Sequence, residues 1–272
     1  MNHSDARIRF VRSDSLPDVE FVAGNNVDNR FPVHLHRKYC IGTLVRGQGL
    51  LTCGSVEYRL RNGDVYLINP GDVHTLHPLG EKPISYAVLS IGEDFFARFF
   101  GEDRSEAVPR FTVNTLTDSA LSLKIRNFGS ILALKEARLQ AESAFMMIFT
   151  GLAPCLALAP AETEPATLPI SRFLAWLDTR LCENLTLGDL AGQACLSKFH
   201  FARLFKEETG LSPYEYLLQE RIKRAKVLLE SGHSPGETAQ MIGFSDQSHF
   251  TRCFKKHVGV TPARYQVIRT DE

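Results

Sequence analysis

The spacing of apolar and polar positions changes twice along the chain. Up to about residue 91 the apolar runs are short and bounded by Gly, Asn and Pro, as in Cys40-Ile41-Gly42-Thr43-Leu44-Val45 and Val65-Tyr66-Leu67-Ile68. Val56-Glu57-Tyr58-Arg59-Leu60-Arg61 alternates with the period of a half-buried strand, and Asn62-Gly63-Asp64 marks a tight turn after it. This pattern predicts many short strands in a sandwich or small barrel. From about Asp94 to Leu158 the period becomes helical: Phe95, Phe96, Phe99 and Phe100, then runs through Leu116–Leu134 and Ala137–Leu152. These helices cover the β-rich part or form a contact between two copies. Residues 159–169 hold three prolines and few large apolar side chains, which predicts a stiff, extended linker. The chain thereby divides into 1–158, a linker 159–169 and 170–272.

The last part repeats itself. Phe201-Ala202-Arg203-Leu204-Phe205-Lys206 matches Phe250-Thr251-Arg252-Cys253-Phe254-Lys255 forty-nine positions on, and Gly210, Ser212-Pro213 and Tyr216 match Gly259, Thr261-Pro262 and Tyr265. Upstream, after a one-residue slip, Ala191 pairs with Ala239 and Ser197 with Ser245. In each copy a capping-box pattern (Thr186 to Asp189; Ser234 to Glu237) opens a first helix. A turn ending at Ser197 or Ser245 opens a second, and Gly210 or Gly259 closes it. Helix, turn, helix is the outline. Ser212-Pro213-Tyr214-Glu215 then starts a connecting helix, Pro213–Glu230, with Tyr214, Leu217, Leu218, Ile222, Ala225, Leu228 and Leu229 on its apolar stripe and Gly232 at its end. Eighteen residues make a rod of ~27 Å, comparable with the ~34 Å between major grooves on one face of DNA.

On the two second helices Phe201, Leu204 and Phe205, and Phe250, Cys253 and Phe254, form inward stripes. Lys198, Phe199, Ala202, Arg203 and Lys206 point outward on the first. Gln247, Ser248, Thr251, Arg252 and Lys255 point outward on the second. Arg can bind guanine bidentately, Gln can pair with adenine and Thr can touch a thymine methyl; Lys suits phosphates. One basic helix alone would be an ordinary solvated face. Recurrence of Arg and Lys at equivalent positions in both copies favours double-stranded DNA as partner.

Charge adds little to this. The 272 residues carry 31 basic and 31 acidic side chains; residues 172–270 hold 14 and 10, a net of +4. No apolar run approaches the ~20 residues of a membrane span. The polar N-terminus lacks the apolar core of a secretory signal, so a cytoplasmic protein is expected. The six cysteines lack zinc-site and disulfide spacing and read as small buried hydrophobes. No nucleophile–base motif, phosphate loop or dinucleotide fingerprint occurs, so no catalytic residue and no cofactor is assigned.

Residues 170–269 resemble the DNA-binding domain of AraC/XylS-type transcriptional regulators. The resemblance rests on Leu204–Pro213 and on Ile242-Gly243-Phe244-Ser245, Phe250, Arg252–Lys256, Gly259 and Thr261–Tyr265. It implies seven helices, promoter binding with RNA polymerase as a further partner, and base contacts at Phe199, Ala202, Arg203, Gln247, Ser248, Thr251 and Arg252. Ala202 departs from the polar residue many members carry. Phe31–Tyr39 and Gly63–His74 resemble the two cupin motifs, so the whole looks like an α+β, two-domain regulator: a cupin-like barrel with following helices, then an all-α domain. In metal-binding cupins two His, a Glu and a later His hold a metal. Here Tyr39 and Cys40 stand near the Glu position, which favours a metal-free small-molecule effector site of His34, His36, Tyr39 and His74. The resemblance implies an activator, with a homodimer possible. A metal-dependent cupin enzyme, a dioxygenase or isomerase with a helical appendage, is the alternative.

Overall fold

The structure, a computed structural model, describes residues 7–14, 16–93, 107–134, 138–160 and 170–270. Contacts divide it into two compact units, one of residues Met1–Arg30 and Leu35–Glu162, the other of Phe31–His34 and Thr163–Glu272.

Strands dominate the first unit: β1 (Arg7–Val11), β2 (Val19–Val27), β3 (Lys38–Arg46), β4 (Gly49–Cys53), β5 (Val56–Leu60), β6 (Asp64–Ile68), β7 (His74–Pro78), β8 (Ile84–Gly92), β9 (Ala107–Phe111), β10 (Thr115–Thr117) and β11 (Leu156–Pro160). They form a six-stranded sheet in the order β1-β2-β8-β3-β6-β10, a three-stranded sheet β5-β4-β7 and a pair β11-β9. The turn at 62–64 is present: Gly63 sits at φ +91° and the Arg61 N–H donates to the Asp64 carboxylate at 2.7 Å.

Helices α1 (Ser119–Leu132) and α2 (Arg138–Leu152) follow. Leu121, Ile125 and Phe128 of α1 and Phe145, Ile148 and Phe149 of α2 share one core with Phe21, Tyr39, Ile41, Val65, Leu67, Leu89 and Ile91 of the large sheet. Gly129 permits the close approach, because a Cβ there would lie 2.1 Å from the Phe21 ring. The buried Thr43 and Ser122 hydroxyls meet at 2.6 Å across the same interface.

Strand pairing corrects the expectation of helix throughout 94–158. Leu156 pairs with Phe111 and Pro160 with Ala107, so strand continues through the first two residues of the expected linker. β10 adds an edge to β6. The Phe95–Phe100 cluster and residues 161–169 lie outside the described residues.

The second unit contains seven helices among its described residues: α3 (Ile170–Asp178), α4 (Leu187–Gln193), α5 (Lys198–Thr209), α6 (Pro213–Glu230), α7 (Pro235–Met241), α8 (Gln247–Val258) and α9 (Pro262–Thr270). Capping boxes at Thr186/Asp189, Ser212/Glu215 and Ser234/Glu237 start α4, α6 and α7. Gly210 and Gly259 end α5 and α8 in the left-handed conformation, at φ +72° and +87°.

Two aromatic stacks fill the unit. Phe173, Phe201, Phe205 and Tyr216 form one; Phe244, Phe250, Phe254 and Tyr265 form the other. The rod α6 belongs to both. Tyr216 near its start packs on Phe205, and Glu230 at its end accepts a 2.6 Å hydrogen bond from Tyr265. Tyr214, placed on the apolar stripe of α6 by its spacing, is instead 60% exposed, whereas Tyr216 and Gln219 are buried.

The cysteines are all free thiols, but only Cys40 and Cys53 are buried. Cys155 and Cys253 are half-buried, and Cys182 and Cys195 are exposed, contrary to the expectation of buried hydrophobes. Cys195 is exposed because it occupies a turn. No helix among the described residues is long and apolar enough to cross a membrane.

Candidate nucleic-acid interface and effector site

Each helix-turn-helix is closed by the same backbone device. In the first, Cys195 adopts φ +54°, its N–H donates to the Gly192 carbonyl, and the Leu196 N–H donates to the Ala191 carbonyl at 2.9 Å. In the second, Gly243 adopts φ +77°, its N–H donates to Gln240, and the Phe244 N–H donates to Ala239 at 3.0 Å. These are paired Schellman turns. Ser197 then caps α5 by accepting the His200 N–H. In the second copy the cap is Asp246, not Ser245: its carboxylate accepts the His249 N–H at 2.7 Å. The one-residue slip in the repeat is this added residue, which places the capping oxygen after Ser245.

The turns aim α5 and α8 outward. Lys198, Phe199, Arg203 and Lys206 are exposed on α5, with Ala202 half-buried; Gln247, Ser248, Arg252 and Lys255 are exposed on α8, with Thr251 half-buried. Phe199 is 84% exposed, the most exposed of the large apolar residues described in this unit. Arg203 lies 4.0 Å from Glu207, an exposed i,i+4 pair of little energetic weight. The Lys198 side chain folds toward α4, its Nζ 3.5 Å from where a Cβ on Gly188 would stand.

Arg221, which sequence reasoning did not single out, ties the connecting helix to the segment ahead of the first helix-turn-helix. From the middle of α6 it donates to the Leu181 carbonyl at 2.8 Å and the Glu183 carbonyl at 2.7 Å. Burial pushes its pKa down from the ordinary arginine value. The second turn lies against the same segment: a Cβ on Gly243 would be 2.8 Å from the Cys182 carbonyl. Residues ahead of the first helix-turn-helix therefore touch the turn of the second.

Of the expected effector residues, His36, Tyr39 and His74 belong to the β-rich unit, whereas His34 falls with the second unit. The His36 and His74 rings meet edge to face, centroids 4.8 Å apart. Burial, and then the neighbouring His36, push the His74 pKa down to about 3, so that ring is neutral at ordinary pH. Tyr39 does not join them. It is 1% exposed in the core against α1 and α2, packs edge-on to Phe111 and donates its hydroxyl to the Pro109 carbonyl at 2.6 Å. Successive strand residues point to opposite faces, and Cys40 takes the place expected of Tyr39. Its sulfur lies 3.4 Å from His36 Nε2 and 3.3 Å from the Ser90 hydroxyl. Burial pushes this thiol up to about 11.

Paired outward helices on one rod, joined in one chain to a β-rich unit with a polar cluster, define a DNA-binding regulator that carries its own sensor domain. Residues 16–149 match the AraC-like ligand binding domain and residues 190–267 match a helix-turn-helix domain. The chain is 30% identical over 245 residues to the uncharacterized HTH-type transcriptional regulator YbfI of Bacillus subtilis (strain 168), covering 89% of both chains. It is 25% identical over 229 residues to the HTH-type transcriptional activator RhaS of Salmonella schwarzengrund (strain CVM19633), covering 80% of this chain and 81% of that one. Its fold is also that of unsaturated fatty acid bound wild-type ToxT from Vibrio cholerae strain SCE256, with a TM-score of 0.59 over 100% and 99% of the two chains at 15% identity. The chain belongs to the AraC family of transcriptional regulators: it is an effector-controlled, DNA-binding regulator, and its relatives are regulators of transcription.

Proposed function

We propose that α5 and α8 enter successive major grooves of promoter DNA. Phe199, Ala202, Arg203, Gln247, Ser248, Thr251 and Arg252 would face base edges there, and Lys198, Lys206 and Lys255 would face phosphates. The supporting observation is the pair of Schellman-closed turns that leave both helix faces exposed on one shared rod. A small effector held by His36 and His74 shifts the population between arrangements that bind the operator well and poorly. Domains 1–158 and 170–272, joined by 159–169, carry the two tasks.

The chain acts in the cytoplasm by binding rather than catalysis, as an activator that meets RNA polymerase at the promoter. It pairs with a second copy through α2, whose outer stripe of Leu139, Ser143, Met146, Met147 and Thr150 is exposed and carries no charge. Leu139 alone is 76% exposed.

Selection of random duplex DNA by the full-length protein at two salt concentrations tests the reading. Enrichment of two elements about one helical turn apart is expected. Sequence-blind, purely salt-dependent binding would sink it.

A further inference from the structure

Arg221 clamps the second unit with only part of its side chain. Its Nε–H donates to the Leu181 carbonyl and an Nη2–H to the Glu183 carbonyl. A guanidinium carries five N–H groups in a flat fork. One N–H on Nη1 and the second on Nη2 therefore form an open edge, the geometry arginine offers to a carboxylate or phosphate. Among the described residues no carboxylate pairs with it: Glu183, whose carbonyl it meets, turns its own carboxylate to Arg180 at 3.1 Å. Carbonyls solvate the charge without cancelling it, and burial works against it.

The same side chain lines a cleft of ~160 Å³ that lies wholly within the second unit. The rod α6 supplies Tyr214 and Arg221, and the segment ahead of α4 supplies Asn184. The second turn and the start of α8 supply Phe244, Ser245 and His249. The Phe244 and His249 rings meet edge to face, centroids 5.2 Å apart, and make one wall. The Asn184 amide, the Tyr214 hydroxyl and the His249 ring make no hydrogen bond with the described residues. No acidic side chain lines the cleft. Pockets that enclose a drug-sized ligand start at roughly 300 Å³, so this one suits a single small polar group.

We propose that the cleft binds one oxyanion, a phosphate or a carboxylate, on the open edge of Arg221, with Asn184, Tyr214 and His249 around it. The site is separate from the base-reading faces of α5 and α8 and from the histidines of the first unit. An anion there completes the ion pair that the clamp lacks and ties α6, the segment ahead of α4 and the second turn to one another. Occupancy and operator affinity are then linked, each raising or lowering the other. The oxyanion has two sources. One is a backbone phosphate of bound DNA, since Ser245 and His249 flank Gln247 and Ser248 at the start of α8. The other is a free anion in solution. Only the first rests on the DNA-binding reading.

The test titrates full-length protein with inorganic phosphate at constant ionic strength in a calorimeter. Saturable binding of one equivalent is expected. Asn184→Asp sets a negative charge on the exposed rim, and Arg221→Lys keeps the charge but loses the fork; each should weaken binding at least about tenfold. Urea denaturation shows whether both variants are folded. If Arg221→Lys is not, Asn184→Asp decides alone, because its side chain is exposed and holds nothing in place. No saturable binding, or equal binding by Asn184→Asp, overturns the site. The source is read on the selected operator with single methylphosphonate replacements, each of which removes one backbone charge. A position that weakens the unsubstituted protein but not Asn184→Asp assigns the site to DNA. No such position, with phosphate changing the operator affinity of the unsubstituted protein alone, assigns it to a free anion. Phosphate binding with neither effect rejects the link to operator affinity. Failure to bind any operator under every condition rejects the DNA-binding reading and leaves the phosphate titration to stand by itself.

Discussion

Arg252 and Lys255 stand on the exposed side of α8 and differ in what they can read. Arginine's planar fork can address guanine O6 and N7, while lysine is a point charge suited to phosphate. Arg252→Ala is expected to weaken operator binding by ~1–3 kcal/mol and to relax preference at one base pair; Lys255→Ala is expected to weaken all sequences alike and lower the salt slope by about one. Binding titrations on operator and scrambled duplexes at several salt concentrations check both. Cys195 offers a stability test. It holds the left-handed position that Gly243 holds in the second copy, and a non-glycine residue is strained there. Cys195→Gly should stabilise the protein by about 0.5–1 kcal/mol in urea denaturation followed by the single tryptophan, Trp176. Residue by residue, the outward set on α5 and α8 was legible because a 3.6-residue period separates faces by itself. Tyr39 and Cys40 were not legible: a strand alternates every residue, and both neighbours are apolar enough to be buried, so only the packing of α1 and α2 decides which faces the histidines.

At the level of elements, helix starts were written locally and read locally. Three capping boxes stand where Ser or Thr is followed three residues later by Asp or Glu. Ser245 misled because Ser245 and Asp246 are both good caps, and the choice depends on one inserted residue. Strands β9, β10 and β11 were illegible because their pairing partners lie far away; β11 pairs with residues 45 to 53 positions earlier, and no local period records that. The caps carry a pH dependence. Hydrogen bonds to Thr186, Ser212 and Ser234, and the His249 backbone N–H, hold the carboxyls of Asp189, Glu215, Glu237 and Asp246 below their usual values. A lowered folded pKa gives stability that is full above the unfolded value, about 4, and lost as pH falls through the folded one. The urea midpoint reported by Trp176 should therefore drop most steeply below about pH 4. The combined variant Asp189→Asn, Glu215→Gln, Glu237→Gln, Asp246→Asn should flatten that drop, and an unchanged acid limb would show that the caps do not govern it.

Across the whole molecule, two-part organisation was legible from the change of period and the proline-rich stretch. The bracing of the second unit was not, since it depends on Arg221 reaching across 40 residues of sequence to Leu181 and on Gly243 fitting under Cys182. Gly243→Ala meets both a positive φ and a backbone carbonyl, and should cost ~1–3 kcal/mol in the same denaturation assay. On the proposed reading, the shared rod α6 and the Arg221 hydrogen bonds hold the two readers to one spacing. Five base pairs inserted between the operator elements turn the second element to the opposite side of the duplex, and affinity in a gel-shift assay should fall to the non-specific level.

That clamp also has a consequence for the nucleic acid. A straight duplex repeats its major groove every ~34 Å, whereas the rod between the readers is ~27 Å long. On the proposed reading, readers standing closer together than that repeat are met by a double helix that curves toward them, at a cost that depends on how easily the intervening steps unstack. Operators with TA or CA steps at the centre should then be favoured over stiff A-tracts, and this protein would choose among promoters partly by the flexibility of base pairs it never touches.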